Sequence, residues 1–133
     1  MSLEVKKLDS AKEAEAVRRL RTRVFVDEFD ETAVHAVAYQ SGVVVGTGRL
    51  VLDTADQARI GRMAVEASLR RKGVGSAVLA FLEKEAQSRG IKQVSLHAQN
   101  YVKDFYVKYG YLEVGDTFLE AGILHIKMKK YIV

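Results

Sequence analysis

"RMAVEASLRRKGVGSAVLAFLEKEA", residues 62–86, decides how this chain is read. Its first four residues close an extended run, and "EASLRRKGVG" is a polar loop. Val74, Val78, Phe81 and Leu82 then recur at helical spacing. The helix opens on Gly73-Val74-Gly75, directly after Arg70, Arg71 and Lys72. Glycine weakens a helix interior by about 1 kcal/mol relative to alanine, and clustered cations repel one another. A bound anion reconciles both features. The first amides of a helix are unpaired, its dipole is positive there, and glycines let the backbone come close to a ligand. The phosphate loop G-x-x-x-x-G-K-[ST] is absent, since neither glycine precedes Lys-Ser or Lys-Thr. G-x-G-x-x-G also fails, with Val78 in the place of the third glycine. What remains is R-x-x-G-x-G from Arg70. By itself it equally describes a solvated basic turn capped by glycines.

The wider composition sets the frame. A chain of 133 residues, 48% apolar and 29% charged, suits one compact globular domain over 1–133. There is no cysteine, which removes disulfides, thiolate nucleophiles and cysteine-held zinc. No apolar run approaches the ~20 residues of a membrane helix. "MSLEVKKLDS" has no apolar signal core, so a cytoplasmic protein is expected. The net charge of +4 is mild, and no basic stripe interleaved with aromatics points to nucleic acid.

Outward from the opening stretch, "LEVKKL" reads as a strand. A helix follows over "DSAKEAEAVRRLRTRVFVDEF", with Ala14, Val17, Leu20 and Val24 in register and a Ser10/Glu13 capping box. "AVHAVAYQ" and "VVVGTGRLVL" form a hairpin around Gln40-Ser41-Gly42, and "LDTADQ" turns into the strand "ARIGRMAV". Beyond the central helix, which Gly90 caps, come the strand "IKQVSLHAQ", the short helix "YVKDFYVKYG", the strand "YLEVG" and the strand "GILHIKMKKYIV". The order β-α-β-β-β-α-β-α-β-β predicts an α/β fold, a mixed and mostly antiparallel twisted sheet flanked by helices.

R-x-x-G-x-G between a strand and a helix resembles the acetyl-CoA pyrophosphate loop of the Gcn5-related N-acetyltransferase (GNAT) superfamily. "QNYVKDFYVKYGY" is similar to its second signature, with Gln99 at the polar strand end, Tyr106 at the tyrosine and Gly110-Tyr111 at the glycine–aromatic pair. "LRTRVFVDE", "DETAVHA", "VVGTGRL", "IGRMAV", "LHAQ" and "EAGILHIKM" resemble a bacterial branch of ElaA-type proteins and glyphosate N-acetyltransferase.

The resemblance implies a GNAT fold and acetyl-CoA as co-substrate, with no metal. Arg70, Arg71, Lys72, Gly73, Val74, Gly75 and Ser76 would hold the pyrophosphate. Met63, Ala64 and Val65 would lie along the pantetheine arm, in a strand that a bulge splays from its neighbour. The Val65 amide would polarise the thioester carbonyl. Gln99 would complete the cofactor contacts. Tyr106 would be the general acid for the leaving thiolate, although a tyrosine beside Phe105 on an amphipathic helix is otherwise core or rim.

An ammonium is not nucleophilic, so the acceptor needs a base. His125 matches the base of the glyphosate-acetyltransferase-like enzymes, with Glu28, Glu120 or water as the alternatives. Arg62 would hold an anionic acceptor, with Arg23 and His35 beside it. Arg21 reads as a solvated helix position and His97 as structural. The expected activity is transfer of acetyl to a primary amine of a small, acid-bearing molecule by direct attack in a ternary complex. A protein or peptide acetyltransferase and a non-catalytic acyl-CoA-binding module are the other readings. The acceptor would be a small molecule, with no nucleic acid or membrane partner. "HIKMKKYIV" is a candidate homodimer interface.

Overall fold

The computed structural model describes residues 3–8, 33–69 and 72–132. The helix expected after residue 8, with Ser10, Glu13, Arg21, Arg23 and Glu28, lies outside them, as do Arg70 and Arg71. Among the described residues, seven strands and two α-helices follow in order: β1 Leu3–Leu8, β2 Val34–Gln40, β3 Val43–Leu52, β4 Gln57–Val65, α1 Val74–Ser88, β5 Gln93–Gln99, α2 Lys103–Lys108, β6 Leu112–Glu120 and β7 Ile123–Tyr131. One sheet runs β1-β2-β3-β4-β5-β7-β6. Every neighbouring pair is antiparallel except β4–β5. This is the mixed, mostly antiparallel α/β fold expected from the element order.

The chain turns where glycine permits. Ser41-Gly42 and Ala121-Gly122 both hold two successive positive φ angles, the two-residue hairpin turn that matches strand twist. The second hairpin is longer than the sequence suggests. "YLEVG" was expected to stop at Gly115, but β6 continues to Glu120. Between Val114 and Phe118 the strand bulges around Gly115, which breaks the alternation that marks a strand.

Both helices end in the same cap. Gly90 follows α1 at φ 79, its N–H bonds to the Gln87 carbonyl, and that of Ile91 to the Ala86 carbonyl. Gly110 follows α2 at φ 97, with bonds from Gly110 to Val107 and from Tyr111 to Tyr106. These are Schellman caps, which favour an apolar contact between the residue after the glycine and the last turn. Tyr111 and Tyr106 make that contact edge-on, 5.8 Å apart. The glycine–aromatic pair of the second signature is therefore the cap that fixes Tyr106.

The sheet's two faces differ. Val78, Leu79 and Leu82 of α1 bury themselves against Val34, Ala36, Leu50, Ile60, Val94 and Leu96. α1 lies close because β3 presents glycines to it. A Cβ on Gly48 would come within 2.9 Å of Met63, Val78 and Leu82, and one on Gly46 would stand 2.6 Å from Val74. The opposite face carries a smaller apolar cluster of Leu8, Val37 and Val44, together with buried His35 and Thr47. No helix among the described residues is long and apolar enough to cross a membrane.

Candidate active site

The site begins with a phase change in β4. Ala58 and Ile60 face α1, but the next residues to do so are Met63 and Val65, a step of three instead of two. The register against β3 moves from Thr47↔Ala64 to Arg49↔Gly61, so β4 holds one extra residue. That residue is Arg62, in the left-handed region at φ 54, with its carbonyl accepting a 3.3 Å hydrogen bond from the Thr47 hydroxyl. Positive φ is uncommon for a residue with a Cβ, and bulges of this kind bend a strand away from its partner. β4 and β5 pair only at Gln57↔Gln93, Ala58↔Val94 and Arg59↔Ser95, and then part. The opening lies between the ends of β4 and β5.

On one side of it stands the start of α1. Gly73 precedes the helix at φ 87; among the described residues no side chain caps the first turn, and none of its own residues is acidic. The first amides of the helix have no partner within it and its dipole is positive there, beside exposed Lys72. Ser76 Oγ donates back to the Gly73 carbonyl at 3.0 Å, which fixes the turn. A Cβ on Gly75 would touch Phe105 and Val65 at 3.4 and 3.6 Å, so the helix start sits against both α2 and the end of β4.

On the other side β5 ends at Gln99, directly opposite His125 of β7. A 3-10 turn, Asn100–Val102, leads into α2 and Tyr106. Tyr106 is 8% exposed and packs edge-on to Phe105. Burial pushes its phenol up to about 12, so it keeps its proton at neutral pH.

His125 is 6% exposed. Its Nδ1 lies 2.7 Å from the Ile123 carbonyl, which can only accept, so Nδ1 carries a proton and, in the neutral ring, Nε2 holds the lone pair. Phe118 stacks on the ring at 6.0 Å. Nε2 faces Glu120 Oε2 at 3.6 Å, and the other Glu120 oxygen lies 2.9 Å from His97 Nδ1.

The match of a family model described as "Acetyltransferase (GNAT) domain" spans residues 5–132. The chain belongs to the GNAT acetyltransferase family. A provisionally named acetyltransferase of Bacillus subtilis (strain 168) is 31% identical over 96% of both chains. In fold the protein is similar to Escherichia coli ElaA, with TM-score 0.79, 21% identity, and 97% and 99% of the two chains covered. It is also similar to an aminoglycoside 6′-N-acetyltransferase solved with coenzyme A, at TM-score 0.76 and 19% identity over 98% and 97% of the chains. The family transfers acyl groups from acyl-CoA, and this member is an acetyl-CoA-dependent N-acetyltransferase.

Within this acetyltransferase, Met63, Ala64 and Val65 lie along the opening, and Arg62 is the bulge itself. Gly73, Val74, Gly75 and Ser76 form the helix start, and Gln99 pairs with His125. His35 is wholly buried on β2, opposite Arg49 and facing away from α1.

Two groups escape a reading by sequence. Arg49 lies in register with both His35 and Gly61, and its Nε is buried with no hydrogen-bond partner among the described residues. Its signal is a charge in the middle of the apolar run "VVVGTGRLVL". The Asn100 Oδ1 is likewise buried without a partner, one residue past the end of β5.

Proposed function

We propose that residues 1–133 act as one domain that acetylates the primary amine of a small, acid-bearing molecule by direct attack on acetyl-CoA. The observation that carries this reading is the opening between β4 and β5, with an uncapped helix start on one side and buried His125 on the other. The amides from Gly73 to Ser76 hold the pyrophosphate, helped by Arg70, Arg71 and Lys72. The β4 backbone from Met63 to Val65 takes the pantetheine arm. The Val65 amide supports the oxyanion, and such a donor is worth about 3 kcal/mol. Gln99 adds a polar contact.

His125 takes a proton from the attacking amine through Nε2, the nitrogen its Ile123 hydrogen bond leaves unprotonated. Tyr106 gives one to the departing thiolate, and burial is what keeps that phenol loaded. Arg62 and Arg49 are the groups for the acceptor's acid; the buried Arg49 Nε has no partner among the described residues, which favours an anionic ligand. Arg23, Glu28, His35 and Glu120 complete the acceptor side. The reaction needs no metal, and the protein works in the cytoplasm as a monomer or a homodimer, without nucleic-acid or membrane partners.

The test is a thiol-release screen with acetyl-CoA over amino acids, aminophosphonates, amino sugars, polyamines and peptides. Turnover of amino acids or aminophosphonates is expected, and His125→Ala should lower kcat about 100-fold. Turnover of peptides alone would overturn the acceptor class. A His125→Ala enzyme with the normal rate and pH profile would overturn the base.

A further inference from the structure

We propose that Glu120 carries the proton collected by His125 out to water, and that His97 is the positioning residue that holds Glu120 for this step. The inference rests on the reading of His125 as base. The three side chains come from three strands and share the face of the sheet turned away from α1. On β5, Leu96 and Ala98 are buried, so His97 and Gln99 point to the opposite face. On β7, Ile126 and Met128 are buried, which puts His125 and Lys127 on that opposite face. Phe118 pairs with His125, and Glu120 follows two residues later on the same side.

Burial makes the arrangement directional. The His125 side chain is 8% exposed, whereas those of Glu120 and His97 are 49% and 46% exposed. A buried imidazolium has no direct path to solvent, and desolvation penalises its charge. Glu120 Oε2 is 3.6 Å from Nε2, close enough for a small ring movement to complete the hydrogen bond. A carboxylate accepts, so the 2.9 Å contact at Oε1 is donated by His97 Nδ1–H. That bond holds Oε1 and leaves Oε2 turned to His125. Phe118 lies edge-on to His97 and stacks on His125, so one ring fixes both imidazoles.

The step balances without a co-reactant. The amine N–H breaks as Nε2–H forms, Nε2–H breaks as a proton passes to Oε2, and Glu120 releases it to water. Neutral His125 and the carboxylate are restored. Along β7 the same face carries Lys127, opposite His97, and then Lys129, opposite Ser95; Gln99 opposite His125 is neutral.

The test uses histidine-labelled protein and nitrogen NMR, which needs no acceptor. In the wild type the neutral His125 ring should show the Nδ1–H tautomer. Glu120→Gln should shift the His125 Nε2 resonance and leave Nδ1 near its wild-type position, because only Nε2 faces Glu120. An unchanged Nε2 resonance in Glu120→Gln would overturn the proposal.

Kinetics on an acceptor from the screen supply the second readout. Glu120→Gln should lower kcat about 10-fold at constant KM for acetyl-CoA, and imidazole buffer should restore the rate in proportion to its concentration. His97→Ala should do the same more weakly. His97→Gln, which keeps an N–H donor, should recover most of the loss. A Glu120→Gln enzyme with wild-type kcat and no buffer dependence, beside a slow His125→Ala enzyme, would sink the relay and leave the base standing. A fast His125→Ala enzyme would remove both.

Discussion

The two sides of the opening are built by different means. The β4–α1 side is made of backbone. A bulge at Arg62, a left-handed Gly73 and the first turn of α1 set where its amides point. The β5–β7–β6 side is made of side chains. His125, Glu120, His97 and Phe118 come from three strands and meet only because the register aligns them. Backbone sites tolerate changes of side chain and fail when a Cβ intrudes. Side-chain sites fail one atom at a time.

That difference can be broken first at Tyr106. Tyr106→Phe removes one oxygen and keeps the ring that packs on Phe105 and Tyr111. We expect kcat to fall about 100-fold with the KM for acetyl-CoA unchanged, in steady-state thiol-release assays. An unchanged kcat would show that the thiolate leaves without this acid.

The backbone side answers to volume instead. Gly48→Ala puts a Cβ within 2.9 Å of Met63, Val78 and Leu82. Overpacking of this kind costs about 2 kcal/mol, readable as a lower urea midpoint at unchanged slope. Because α1 would be pushed outward, the KM for acetyl-CoA should rise with it. An unchanged midpoint would mean that the helix has room to shift.

Arg49 sharpens the comparison on the acceptor side. Arg49→Gln should raise the acceptor KM about 10-fold for an acid-bearing amine and leave an uncharged amine unaffected. Equal effects on both would place Arg49 in the fold rather than the site.

These regions were not equally legible in the sequence. The hairpin at Ser41-Gly42, the bounds of β3, the central helix and both glycine caps follow from local rules, where one residue type meets one backbone requirement. The start of α1 after Gly73 was readable for the same reason: a left-handed glycine precedes an apolar-periodic run. The second half of β6 was hidden, because Gly115 interrupts the alternation and Ala121-Gly122 is a weaker turn signal than Asn-Gly. The bulge at Arg62 sits on a residue that does not advertise positive φ; only the resemblance pointed to that strand. His97 reads as structural in sequence because its partner Glu120 is 23 residues away and on another strand. Arg49 shows in sequence as a charge inside an apolar run, but its neighbours come from β2 and β4, so the sequence does not show what it meets.

The smallest expected effect separates what burial does for Tyr106 from what it does for the fold. Its pKa is raised by desolvation from 10.0 to about 12. The unfolded chain therefore releases this proton near pH 10 and the folded chain only near pH 12. Stability is full below pH 10 and declines as pH rises through that window, since the unfolded state then binds fewer protons. At pH 10.5 the loss from this one group is about 0.8 kcal/mol. Tyr111, raised by burial and by its 2.7 Å hydrogen bond to Glu83, acts in the same direction. Urea midpoints at pH 8 and 10.5 should fall further for the wild type than for Tyr106→Phe. Equal falls would mean that the phenol is as well solvated as in the unfolded chain. The proposed acid would then lack the burial that keeps it protonated.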